Sequence, residues 1–448
     1  FWLYMSLRKL SEYGFLSFLF LLPFQTVFLL REPFIGGEKW QYGVISLYGT
    51  DVLLCIVILS VFVVWMRNVD LRFMIDELGS FPILKSSILN HKSSALLITL
   101  ILWTGSSVLW AGDQALALSF FVKLSLGVGV FFLALSFDSS AIKRVIFVLL
   151  VAGVIQSGIG IGQFLYQYSP QSSLLGMSTH EDFQAGSSVL KLDSGRFLRA
   201  YGTFPHPNIL GGFLAAILVL SIGWFAKYNQ NKFDTYFVFF GSIIILLGLM
   251  LTFSRTAWLG VVLGITVYYV SSIRYKVREI RIRFFNILAV LGLAFLVFVL
   301  LLQNQLVPRF DANTIEREGS VSERAQSLED ASVLIQSHPF VGIGAGNFTA
   351  EIIKQEPHRS IWNIQPAHNV FVLVWSELGL VGLLLFVGYL VFSLLPILKS
   401  KILHHNSAIL IALLPSLFLD HWLWTSHFGL LFFFVLIGLI TSMPMKEE

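Results

Sequence analysis

Cysteine and charge are what this chain has least of. A single cysteine, Cys55, stands among 448 residues, so no intramolecular disulfide and no thiolate metal cluster can form. Asp, Glu, Lys and Arg make up only 12% of the sequence against 56% hydrophobic residues, and mean hydropathy is +0.78. A water-soluble globule cannot bury apolar surface on that scale, which excludes a soluble enzyme or a solvated binding module. Low-complexity tracts and a transporter-like internal repeat are also missing. No small-x-small cleavage site follows the first apolar run, where Arg31-Glu32-Pro33 comes next. That run is read as an uncleaved span, with Met5 as a candidate start.

The surplus of positive charge, +4 in all, does not point to nucleic acid. Its densest stretch, Arg274 to Arg283, occupies a short connection between apolar runs, where positive-inside residues collect on the cytoplasmic side of a membrane.

What the chain does have is apolar runs of about 17 or more residues, long enough to cross about 30 Å of hydrocarbon. They fall near residues 13–30, 47–66, 94–110, 115–136, 145–166, 207–226, 236–252, 257–273, 284–302, 369–395, 408–422 and 427–443. The expected fold is all-α, a polytopic helical membrane protein of about 12 transmembrane helices. Lys or Arg marks every short connection on one side, which places both termini inside. Residues 1–166 then form an N-terminal transmembrane bundle, and residues 167–448 a second region containing the extracytoplasmic loop 303–368.

That loop and an earlier outer segment, 167–205, exceed the length of about 12–15 residues beyond which loops are functional or disordered. Ser320 and Glu323 have the spacing of a helix-capping box. Val321, Ala325, Leu328 and Ile335 recur at helical intervals, and Ser337-His338-Pro339 closes the run. The spacing predicts an amphipathic helix over 321–336, lying on the membrane face of the protein. Gly342-x-Gly344-x-Gly346 follows a helix and a proline rather than a strand, so it is read as a flexible turn and not a nucleotide loop.

Certain polar residues stand where their cost needs a reason. Arg255 lies in Leu251-Thr252-Phe253-Ser254-Arg255, a turn with almost no loop between two spans. A guanidinium there either snorkels to the interface or binds an anion, because its fork matches phosphate oxygens. Arg324 opens the expected loop helix against the helix dipole, which a bound anion explains and a solvated helix face also allows. Arg199 begins a turn stiffened by Gly202, Pro205 and Pro207, bringing His206 and Asn208 to the mouth of the next span. His368, after Pro366 and beside Asn369, stands at the mouth of another; an imidazole there is a proton acceptor or simply a cap. Glu377 follows about two and a half turns later on the opposite helix face, a packing or supporting position. Lys123, in the middle of the fourth span, could reach a lipid phosphate. Asp420, His421 and His427 add polar groups at the last outer turn.

In order and placement these residues resemble the O-antigen ligase and polymerase superfamily of polytopic glycosyltransferases. The matching motifs are Arg199-x-x-Gly202-Thr203-Phe204 with Pro207-Asn208, the Ser254-Arg255-Thr256 turn, Arg324, His338-Pro339-x-x-Gly342-x-Gly344, and His368-Asn369 with Leu373, Glu377 and Gly379. They span 199–379; the first five apolar runs match in hydropathy alone. The resemblance implies an enzyme of the bacterial cytoplasmic membrane that moves a glycan from an undecaprenyl-diphosphate carrier to an acceptor hydroxyl on the outer face. By that analogy it inverts at the sugar and uses no metal or other cofactor. Arg255 and Arg324 would hold the diphosphate and His368 would act as base. Arg199, His206, Asn208, Asn369 and Lys123 are further substrate-binding candidates, with Glu377 behind them.

The implied partners are a lipid-linked oligosaccharide donor, membrane lipids, and a glycan, lipid or protein acceptor. A ligase, a polymerase and a protein O-oligosaccharyltransferase share these motifs. The outer loops carry no D-x-D, Glu316-x-Glu318 being the nearest pair, which weighs against a metal-dependent oligosaccharyltransferase. A flippase for lipid-linked glycans is the competing class. It predicts charges along a central path, whereas here all the polar candidates except Lys123 gather at the outer face.

Overall fold

A computed structural model describes residues 2–71, 92–135, 139–184, 186–193, 195–227, 232–274, 278–307, 320–399 and 405–442. Arg72 and Lys85, the Tyr275–Val277 part of the basic run, and Glu316 with Glu318 lie outside the described residues. The architecture is a bundle of long apolar helices, as the hydropathy demands. Its principal helices are α1 (Trp2–Leu21), α2 (Gly49–Leu71), α3 (Lys92–Ser106), α4 (Gln114–Leu135), α5 (Ser139–Tyr166), α6 (Pro207–Lys227), α7 (Lys232–Leu251), α8 (Arg255–Arg274) and α9 (Arg278–Leu301). After α9 come the short α10 (Gln303–Leu306), α11 (Ser320–Ser337), α12 (Phe348–Gln355), α13 (Val370–Lys399), α14 (His405–Leu419), the short α15 (Trp422–Thr425) and α16 (His427–Ser442).

Among the described residues seven helices are long and apolar enough to cross a membrane, and three further apolar helices, Gly49–Val63, Ser407–Leu419 and His427–Thr441, are shorter. The expected count of twelve spans is not reached. The first run, 13–30, shows the physical reason: apolar residues do not by themselves choose helix over strand. Helix α1 stops at Leu21 ahead of Pro23, and Val27–Arg31 leaves as strand β1.

Helix α6 is the central rod, with its Pro207–Ala226 window 89% buried, whereas the still more apolar Arg281–Leu301 window of α9 is 22% buried. A helix apolar all round belongs either in a core or against lipid, and these two take one role each. Around α6, α8 packs on α14, α16 on α4, and α13 on α3.

Two inter-helix segments fold over one end of the bundle as small antiparallel hairpins. In the first, β1 pairs with β4 (Ile45–Tyr48) around an inner pair, β2 (Phe34–Ile35) with β3 (Glu38–Lys39). In the second, β5 (Tyr168–Ser169) pairs with β6 (His180–Glu181), and β7 (Val189–Leu192) with β8 (Gly195–Leu198). Arg31 secures the first hairpin by an ion pair to Asp113 at 2.6 Å, and Trp40 by an indole hydrogen bond to Thr349 Oγ1 at 3.2 Å.

Helix α13 is broken at Gly379, which takes φ +69° and ψ −176°. A break inside a span frees backbone groups that lipid cannot satisfy, and the loop after α11 supplies the partners. Ile343 N–H donates to Ser376 O at 3.0 Å and Gly344 N–H to Glu377 O at 2.9 Å. In return Leu380 N–H donates to Pro339 O at 2.9 Å, and the Trp103 indole to Leu378 O at 2.8 Å. The two chains approach so closely that a Cβ on Gly342 would strike the Glu377 carbonyl, and one on Gly379 the Phe340 carbonyl. The Gly342-x-Gly344-x-Gly346 segment is therefore not the flexible turn expected, but a fixed brace for the kink.

Candidate functional site

The hairpins, α11, α12 and the mouths of α6, α8 and α13 enclose one open cavity of about 1130 Å³. Lys123, Arg199, His206, Asn208, Arg255, Arg324, His368 and Glu377 all line it. Asn369 does not. Its Oδ1 accepts the backbone N–H groups of Phe371 (3.0 Å) and Val372 (3.1 Å), so it caps α13 where substrate contact was expected.

Arg199 is placed by the turn that precedes α6. The side-chain amides of Gln156 and Gln163 in α5 satisfy that turn: Gln163 Oε1 accepts from Tyr201 and Gly202 N–H, and Gln156 Oε1 from Thr203 N–H. The guanidinium of Arg199 is buried and engaged on all three nitrogens. Nε donates to Thr252 O at 2.7 Å, Nη1 to Ser188 Oγ at 2.8 Å and Nη2 to Asn208 Oδ1 at 2.9 Å. Asn208 passes the connection on to Asp420 Oδ2 at 3.0 Å. Arg199 and Asn208 thus hold the wall of the cavity together, rather than presenting unfilled donors to it.

Arg255 is presented by strain. The α7–α8 turn puts Phe253 at φ +49°, a left-handed conformation that costs a residue with a Cβ about 1–2 kcal/mol. Its fully buried ring, packed near Phe164 and Trp258, holds it there. Ser254, Arg255 and Thr256 consequently all face the cavity.

Arg324 comes from α11, which forms over Ser320–Ser337, close to the predicted span. Val321, Ala325 and Leu328 are exposed, while Ser327, Asp330, Ala331 and Leu334 turn inward. An ion pair from Arg359 Nη1 to Asp330 Oδ1 (3.0 Å) and Oδ2 (2.9 Å) anchors the inward face of the helix. Arg324 Nε is buried with no hydrogen-bond partner among the described residues. A buried guanidinium nitrogen left in that state calls for an acceptor.

His368 meets α11 through Ser327, whose Oγ lies 3.3 Å from His368 Nδ1 and donates to Arg324 O at 3.0 Å. His421 lies beside it with ring centroids 5.0 Å apart. Burial pushes the His368 imidazole well below its ordinary pKa; His421 and Arg324 add to the shift and Asp420 opposes it. His206 is shifted the same way by burial and Arg199, and His421 by burial against the pull of Asp420. The cavity therefore presents neutral imidazoles beside permanent guanidinium charge. Glu377 accepts from the Trp424 indole at 3.1 Å and stays in the wall. Among the described residues no three His, Cys, Asp or Glu side chains converge as metal ligands would.

Sequence reasoning passed over Ser327, whose partner lies 41 residues away, and Tyr42, which comes from the first hairpin to the cavity wall near His421. Residues 240–387 match the family model for O-antigen ligase. No curated protein matches the chain. The matched segment includes Arg255, Arg324, His368 and the kink at Gly379.

Proposed function

We propose, from the O-antigen ligase match over residues 240–387, that the protein transfers a glycan from an undecaprenyl-diphosphate carrier to an acceptor hydroxyl on the outer side of the membrane. One observation carries this reading: Arg255, Arg324 and His368, which come from three separate elements, line a single cavity. The carrier's diphosphate lies against the two guanidinium groups, whose forked donors suit its oxygens. The acceptor hydroxyl lies at His368.

Ser327 defines which nitrogen of His368 is available. Its single hydroxyl proton is directed to Arg324 O, so it meets Nδ1 as an acceptor and Nδ1 carries the imidazole proton. Nε2 is left with its lone pair. As the acceptor oxygen bonds to the anomeric carbon, its proton passes to Nε2 and the carbon–oxygen bond to phosphate breaks. The electron pair leaves with the carrier diphosphate, whose added charge is met by Arg255 and Arg324. Attack opposite the leaving group inverts the anomeric centre. These guanidinium groups supply the charge neutralisation that the leaving group needs, and no step calls for a metal.

The test is transfer by the purified protein in liposomes, supplied with lipid-linked oligosaccharide from the host and its acceptor lipids. H368A is expected to insert and melt like wild type while forming no product. Wild-type transfer by that variant removes His368 from the chemistry. Whether the acceptor is a lipid core, a second carrier-linked repeat or a protein is read from the product's mass.

A further inference from the structure

The cavity has a second polar cluster that the donor chemistry leaves unused. Asp51, in the first turn of α2, accepts Tyr48 N–H on Oδ2 at 3.1 Å, and its Oδ1 lies 2.6 Å from His427 Nε2 at the start of α16. Tyr48 stacks on His427 with ring centroids 3.7 Å apart and planes 11° from parallel. Lys123 stands nearby on α4, near enough for Asp51 and His427 to feel its charge. Tyr48, Lys123 and His427 all line the cavity.

The cluster's hydrogen-bonding capacity is only half filled. Both Asp51 oxygens are engaged, and Asp51 fixes His427 as the Nε2–H tautomer, leaving Nδ1 as an acceptor. His427 is only 4% exposed, and its Nδ1 has no partner among the described residues. Lys123 makes no hydrogen bond or ion pair to any described residue. A lysine inside a span is costly and ordinarily finds a partner or serves a ligand. Lys123 and His427 Nδ1 thus each keep hydrogen-bonding capacity that no described residue fills, with the Tyr48 ring stacked on the imidazole.

Charge decides what fits. The Asp51 carboxylate balances the Lys123 ammonium, so the cluster has no surplus with which to hold a second phosphate, unlike the Arg255 and Arg324 pair. A sugar hydroxyl is neutral, accepts from an ammonium and donates to an imidazole nitrogen at once, and the carbon face of the ring packs on Tyr48. We propose that Lys123, His427 and Tyr48 form a subsite for a neutral, hydroxyl-bearing sugar of the glycan, apart from the cations that meet the diphosphate. This rests on the carrier-linked donor reading above. It gives Lys123 a sugar-binding role in place of the lipid-phosphate contact expected from its position in the sequence.

Two probes separate the possibilities: undecaprenyl diphosphate without sugar, and the same carrier bearing the host oligosaccharide, each titrated against the purified full chain. Wild type is expected to bind the glycosylated carrier more tightly. K123M, which removes the ammonium but keeps an apolar stem, is expected to lose about tenfold for the glycosylated carrier. Its affinity for the bare carrier should stay within about twofold. K123R, which keeps the donor, should recover most of the difference, and R255Q should weaken both carriers alike. Equal weakening of both carriers by K123M, or no change in either, overturns the subsite while the donor reading stands. Equal binding of the two carriers by wild type overturns it as well. Failure of wild type to bind either carrier sinks the donor reading, and the subsite with it.

Discussion

Ser327 Oγ stands 3.3 Å from His368 Nδ1, and the same hydroxyl reaches the carbonyl of Arg324 at 3.0 Å. One serine therefore ties the imidazole at the mouth of α13 to the turn of α11 that carries a guanidinium. S327A should leave His368 without its orienting partner and slow transfer about tenfold, the worth of one hydrogen bond. KM for the lipid-linked donor should stay near wild type. Initial-rate kinetics in liposomes check this; an unchanged kcat would separate Ser327 from the orientation of His368.

The same pair has a pH signature. Burial holds the folded-state pKa of His368 below the ordinary imidazole value of 6.5, so the base remains neutral and active as pH falls through 6.5. Its acid limb should appear only at lower pH. The unfolded chain takes up its proton first, so this histidine lowers stability as pH falls below about 6.5 toward the folded-state value. A pH–rate profile of kcat/KM with an acid limb at or above 6.5 would contradict the assignment.

Gly342 and Gly379 should tolerate no side chain. Both have left-handed backbone, with φ of +72° and +69°, and a Cβ on either meets a carbonyl of the other segment. Strain of about 1–2 kcal/mol per site adds to that collision. G342A and G379A are each expected to lower the melting temperature in detergent and the yield of monodisperse protein. Wild-type melting of both would show that the kink does not need this brace.

Arg359 and Asp330 should behave as a buried pair, with side chains 14% and 3% exposed. Removing one partner from such a pair costs about 3–5 kcal/mol. R359A should make α11 sensitive to protease and abolish transfer, because Arg324 and Ser327 ride on that helix. D330N/R359Q, which leaves no lone buried charge, should recover part of the stability. Limited proteolysis with mass spectrometry reads both.

Arg255 and Arg324 should not be replaceable by lysine. The forked guanidinium engages two phosphate oxygens where an ammonium offers a point charge. R255K and R324K are each expected to lose about tenfold or more in kcat/KM while retaining their charge. Titration with bare undecaprenyl diphosphate then tests whether the loss lies in phosphate recognition.

Much of the site was legible locally. The turn from Arg199 to Asn208, the hairpin bend at Arg255, the helix bearing Arg324 and the entry of α13 at His368 each announced themselves by proline, glycine or apolar periodicity. Their individual duties were not. Arg199 looked like a ligand-binding cation until its three nitrogens were seen to be engaged by Thr252, Ser188 and Asn208. Asn369 looked like a contact and is a cap. Which face of α11 turns inward was not legible, because Asp330, a charged residue, points inward to meet Arg359 from a distant loop. The run at Val27–Leu30 looked helical and became a strand because its hydrogen-bond partners lie at Ser46–Tyr48.

The sequence by itself determined that this protein is a bundle of apolar helices, and which stretches are polar enough to gather at one end of it. Hydropathy and local breakers act over a turn or two of chain, so they are written in neighbouring residues. Only the tertiary structure decided which cation is left unpartnered and which is consumed by the scaffold, where α13 breaks, and that Lys123 shares a cavity with His427. Those outcomes depend on hydrogen-bond partners supplied from distant segments, and a buried polar group is fixed by whichever partner the fold brings within reach.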